Sequence, residues 1–176
     1  AIALFGILSF GAFLVAPSPS ALESPLVILM GLLAVVPVLV VFLVGINSFR
    51  SGSFKLHAGV VYAVSALLIL LLAVGAGAVG SIPDVLDAPP RTNVSNNIFF
   101  LGVGNAVILA AVIAALGGVH WWATKVGRRP ASEGLGMIAP LVLLVGAAAA
   151  VIPDLVAGIS GTGNELYADY TGGIGG

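Results

Sequence analysis

The stretch AGVVYAVSALLILLLAVGAGAV, Ala58 to Val79, decides the fold class. It holds no Asp, Glu, Lys, Arg or His, and its only hydroxyls are Tyr62 and Ser65. A helix of about 20 such residues spans the ~30 Å hydrocarbon core of a bilayer. The run is continuous rather than alternating, which excludes the period-2 pattern of a lipid-facing barrel strand. Four further runs of the same kind lie around it: 1–16, which is short as if its beginning were cut away, 26–46, 98–122 and 135–152. The sequence therefore predicts an all-α, polytopic membrane helix bundle with about five crossings over 1–160 and a Gly-rich tail over 161–176.

Composition agrees. Of the 176 residues 60% are hydrophobic and 7% charged, and mean hydropathy is +1.20. A soluble domain carries about 25% charged residues, so this chain lacks the polar atoms to cover itself against water. Six basic and seven acidic residues give no basic field, which argues against nucleic acid. The absence of cysteine removes disulfides, thiolate metal sites and thiol nucleophiles. The opening run is not read as a cleaved signal peptide, because apolar runs continue to the far end.

The loops set an orientation. Arg50 and Lys55 fall in one loop and Lys125, Arg128 and Arg129 in another, whereas the opposite loops hold Glu23, Asp84, Asp87, Arg91, Asp154, Glu165 and Asp169. The excess of basic residues places loops 48–57 and 123–134 in the cytoplasm, with the N-terminus and the tail outside. Pro17, Pro19, Pro25, Pro83, Pro89 and Pro90 punctuate the outer loops, while Pro37 and Pro140 fall inside crossings two and five. Such kinks are tolerated where neighbouring helices satisfy the freed carbonyl. The Gly75-Ala-Gly-Ala-Val-Gly80 and Ala147–Ala150 strings suit close helix packing.

Chemistry is harder to find. No Asp, Glu, Lys, Arg or His is expected at membrane depth, where one would mark function. His57 begins the third crossing and joins the basic loop; His120 ends the fourth beside Trp121 and Trp122, as in an interfacial aromatic belt. The most polar intramembrane features are Asn47, Asn96, Asn97, Asn105 and scattered serines, and Asn105, about two turns into the fourth crossing, could hydrogen-bond a neighbouring helix. Gly102-Val-Gly104 follows no strand and is not a phosphate loop.

One string is more specific: GGVHWWATKVGR, Gly117 to Arg128, followed by Ser132-Glu-Gly-Leu-Gly136. It resembles the end of the tenth helix of haem–copper (cytochrome c) oxidase subunit I, with its Tyr-Trp-Trp-Pro-Lys-x-x-Gly-Arg stretch and Asn-Glu-x-Leu-Gly turn. Trp121, Trp122, Gly127, Arg128, Glu133, Leu135 and Gly136 match; Ala123 and Thr124 stand where the family has Pro and Lys. Ala1 to Gly6 is similar to the opening of the family's seventh helix, Val36-Pro37 and Ser51-Gly-Ser-Phe54 to its eighth, and Pro153, Gly158 and Gly161 to the outer segment after helix eleven. The resemblance covers helices seven to eleven, the C-terminal half of that subunit.

By the same resemblance, the family's chemical positions are altered. The copper-binding histidines fall at Ala12 and Phe13, the proton-channel Thr and Lys at Val38 and Val41, and the haem-ligating histidines at Leu101 and Val103. The magnesium pair falls near Asn93 and Val94, and the propionate-binding arginines at Asn164 and Glu165. The expectation is a non-catalytic, accessory membrane subunit of a respiratory oxidase complex or supercomplex in a bacterial inner membrane. Trp121, Trp122, Gly127, Arg128, His120 and Pro37 would then be structural or interfacial. The chain itself would bind neither haem nor copper, which would reside in partner subunits; lipids and those subunits are its partners. Two other readings stand beside it: half of a split, active haem–copper oxidase, and an unrelated small permease or membrane scaffold.

Overall fold

The computed structural model describes residues 29, 32–33, 35–51, 56–80, 93–127 and 132–160. Within them lie four helices: α1 (Val35–Ser51), α2 (Ala58–Gly80), α3 (Asn93–Val126) and α4 (Glu133–Ser160). No strand occurs among the described residues. The first expected crossing, the Gly-rich tail and Arg128 lie outside them.

Each long helix forms for the same reason. Leu, Val, Ile and Ala dominate, and in a medium without water the only place for a backbone N–H is the carbonyl one turn back. α2, α3 and α4 have 23, 34 and 28 residues and are long and apolar enough to cross a membrane. They pack on one another as a three-helix bundle, and α1 packs on α2 alone among the described elements. Gly59 of α2 approaches Trp121 near the end of α3, while Gly80 meets Phe99 near its beginning, so α2 and α3 are antiparallel. Gly136 of α4 meets His120 and Gly102 of α3 meets Asp154, which makes α4 antiparallel to α3 and parallel to α2.

The core repeats at helical spacing, three, four or seven residues along α2 and α3 and four along α4: Tyr62, Ala66, Ile69 and Ala73 from α2, Phe99, Ala106, Ala110 and Ile113 from α3, and Ala147, Val151 and Leu155 from α4. That spacing is the one that keeps a seam facing its neighbour along helices crossing at a small angle. Nearly half of these side chains are alanine, so the backbones come close and dispersion replaces the missing hydrophobic drive between helices in lipid. The outside is large and aliphatic, with Leu43, Leu135, Val142 and Val145 all exposed. A surface of that kind matches lipid and not water.

Three helices run past their expected limits. Pro37 stands in the first turn of α1, Leu29, Leu32 and Leu33 before it are helical too, and the helix continues past 46 to Ser51. α3 starts at Asn93 and continues through Trp121 and Trp122 to Val126. α4 does not stop at 152: Pro153, Asp154 and Gly158, expected in an outer loop, are inside it. Pro153 is exposed, its fixed φ is helical, and it removes only one ladder bond. The apolar Leu155-Val156-Ala157 that follows gives the chain every reason to keep its backbone paired.

Candidate functional site: two polar rims on an apolar bundle

One end of the bundle gathers the starts of α2 and α4 and the end of α3. The His57 carbonyl accepts the first bonds of α2, from Val60 N–H at 2.9 Å and Val61 N–H at 3.3 Å. Ser132 begins α4 in the same manner: its carbonyl accepts Gly136 N–H at 2.9 Å and its Oγ accepts Leu135 N–H at 3.5 Å, which satisfies donors that a helix start leaves open. Glu133 follows in the first turn, where a carboxylate is favoured by the helix dipole. Because α2 and α4 are parallel, Glu133 also reaches the other helix start, and its Oε1 lies 3.3 Å from His57 Nδ1. Both groups are more than half exposed, so the pair is a surface clamp contributing about 0–1 kcal/mol.

His120 sits behind this clamp. It is half-buried, with its ring centroid 5.9 Å from that of Tyr62. Two glycines make the room. A Cβ on Gly136 would lie 2.8 Å from His120 Nε2 and 2.9 Å from the Ala58 Cβ, and one on Gly117 would lie 2.6 Å from the Tyr62 Cβ. Trp121 and Trp122, by contrast, are exposed. Lys125 Nζ lies 4.9 Å from the Trp121 ring centroid, a cation–π contact at the last turn of α3. Gly127 N–H then closes the helix on the Ala123 carbonyl at 2.9 Å. Of the residues expected to be interfacial, His120, Trp121, Trp122 and Gly127 thus share one rim, and Pro37 lies apart on α1.

The opposite rim contains a residue that sequence reasoning placed in a loop. Asp154 is half-buried within α4, and a Cβ on Gly102 of α3 would lie 3.0 Å from the Asp154 Cβ. The Gly136 and Asp154 layers are about 27 Å apart at ~1.5 Å rise per residue, close to a ~30 Å hydrocarbon slab. Asn105, one turn along α3 from Gly102, is also half-buried. The missed signal was the apolar Leu155-Val156-Ala157 beyond Pro153; a proline in a membrane helix need not end it.

Positions equivalent to haem ligands by resemblance flank Gly102. Leu101 is 59% exposed on the outside of α3, and Val103 packs toward α2, with its Cγ1 3.7 Å from a Cβ built on Gly77. Neither carries a donor atom, and the Val103 side has helix against helix, so these residues do not fit a haem. Among the described residues no three His, Cys, Asp or Glu side chains gather around a common point.

A helical bundle with polar rims about one bilayer core apart, and an aliphatic belt between them, defines a polytopic all-α membrane protein. No family model, curated protein or solved structure matches the chain.

Proposed function

We propose that this chain is a non-catalytic membrane subunit that packs within a respiratory oxidase complex or supercomplex and resembles the C-terminal half of cytochrome c oxidase subunit I. One observation carries the reading. The positions that the resemblance assigns to haem ligation hold Leu101 and Val103, the first exposed on the outside of α3 and the second packed toward α2. An architecture of this kind without donor atoms supplies packing surface and lipid contact, and leaves haem and copper to partner subunits. The aliphatic belt and the open glycines Gly104, Gly118 and Gly146, none with another atom within 4 Å of its Cβ position, offer faces to such partners.

The proposed setting is a bacterial inner membrane, with the His57–Glu133 rim facing the cytoplasm because Arg50 and Lys125 belong to that end. The test is a reduced-minus-oxidised visible spectrum of the chain purified free of other subunits, paired with mild-detergent copurification. No haem bands together with recovery of an oxidase is the expected result. Stoichiometric haem bands would overturn the non-catalytic assignment.

A further inference from the structure

The end of α3 combines a held cation with apolar surface at one level. Trp121 and Lys125 are four residues apart and share a face of the helix. The Trp121 ring rests beside the start of α2, with its Cε3 4.0 Å from a Cβ built on Gly59, and the Lys125 ammonium stands 4.9 Å from the centre of that ring. A lysine on an indole face is kept close to the protein instead of swinging free in water.

Apolar residues reach that level and go past it. Trp122 and Val126 are each 67% exposed, and Leu135 at the start of α4 is exposed too. An exposed tryptophan beside a lysine marks the zone where hydrocarbon gives way to headgroups. The ammonium is therefore bordered by the kind of surface an amphiphile covers.

Charge points the same way. Among the described residues Glu133 is the acid of this rim, and its Oε1 is already 3.3 Å from His57 Nδ1. The adjoining stretches 52–57 and 127–132 contain Lys55, Arg128 and Arg129 and no Asp or Glu. Surplus positive charge set on an aliphatic belt is the complement of an anionic headgroup with its acyl chains. A free anion would meet the charge and leave Trp122 and Val126 uncovered; an anionic lipid meets both.

We infer that Lys125 and Trp121 form a binding point for an anionic phospholipid, with the phosphate paired to Lys125 and the acyl chains on the aliphatic outside beneath it. The inference concerns this chain's own surface and stands apart from the oxidase reading.

The test uses the full chain in vesicles of phosphatidylcholine and phosphatidylglycerol in equal amounts, with brominated acyl chains on one lipid or on the other. Trp121 and Trp122 are the chain's two tryptophans, so Trp122→Phe leaves Trp121 as the reporter beside Lys125. Brominated phosphatidylglycerol should quench Trp121 more than brominated phosphatidylcholine does, although the two membranes carry the same charge. Lys125→Gln should lower that preference by up to about five-fold, the factor one lysine contributes at an anionic surface, and Lys125→Arg should keep it. Arg50 is the control cation: it is exposed at the same rim but on α1, which packs on α2 and not on α3. Arg50→Gln should leave the preference as it was. Equal quenching by the two lipids overturns the inference, and so does an equal fall in Lys125→Gln and Arg50→Gln, which would reduce the site to a diffuse basic field. Trp121 shielded from both lipids overturns it as well, because protein then covers the site. If inorganic phosphate at constant ionic strength abolishes the preference, the site takes a free anion and the lipid assignment falls.

Discussion

Gly158 of α4 lies directly against the main chain of Phe99 in α3: a Cβ at position 158 would stand 2.5 Å from the Phe99 Cβ and 2.8 Å from its Cα. Phe99 is fully buried, and on its other side Gly80 of α2 leaves room for the ring edge, with a would-be Cβ 2.5 Å from Cε1. Phe99 is thus held between two glycines on two helices, Gly158 at its main chain and Gly80 at its ring edge. A ring tip can swing away from an added methyl, but a main chain cannot. Gly158→Ala should therefore destabilise the bundle by about 1–3 kcal/mol, the range for overpacking. Gly146→Ala, with open space around it, should be neutral or slightly stabilising through helix propensity. Thermal unfolding in one detergent compares them; equal midpoints for the two variants would refute the close approach.

Ser65 makes the second prediction. It is 1% exposed in the middle of α2, between Tyr62 and Ile69 of the core, and its hydroxyl bonds to no described residue. A buried hydroxyl that bonds to none of the described residues adds little to stability, so Ser65→Ala should leave it unchanged or raise it by about 1 kcal/mol. Ser65→Leu adds volume where nothing yields and should destabilise by about 1–3 kcal/mol. A marked fall in midpoint for Ser65→Ala would mean that the hydroxyl is bonded after all.

His57 and Glu133 make the third. Their side chains meet at 3.3 Å but remain 52% and 63% exposed. A double-mutant cycle with His57→Gln and Glu133→Gln should return a coupling of no more than about 1 kcal/mol, shrinking as salt is added. The Gly136→Ala variant is expected to weaken the same rim far more, because its methyl would strike the His120 ring and the Ala58 Cβ together. A large coupling that is insensitive to salt would show that the pair is shielded from water.

The legible parts of this molecule are those governed by local sequence. α2 has the bounds its apolar run implies, because nothing in Ala58–Gly80 competes with the helix. The end of α4 was illegible because Pro153-Asp154 has the look of a stop, and only the apolar residues beyond it reverse that reading. The His57–Glu133 contact joins residues 76 apart in sequence, and no periodicity within either helix announces it. Abundant glycine pointed to close packing. Which glycine meets which side chain, Gly117 with Tyr62 or Gly136 with His120, depends on helix register, and register is set by three helices at once.

The orientation supplies the last prediction, and the composition makes it clean to test, since the chain has no cysteine. The rim with His57, Lys125 and Glu133 collects basic residues from both of its loops, so the positive-inside rule assigns it to the cytoplasm. A single cysteine at Ser132, exposed at the start of α4, should react with a membrane-impermeant maleimide in inverted vesicles and stay protected in intact cells. A single cysteine at Thr162, in the tail, should do the opposite. α4 joins the two positions, so one crossing demands opposite sidedness; labelling of both from the same face would mean that α4 does not traverse the bilayer. Labelling of opposite faces in the reverse sense would keep the crossing and show that the basic loops are exported against their charge.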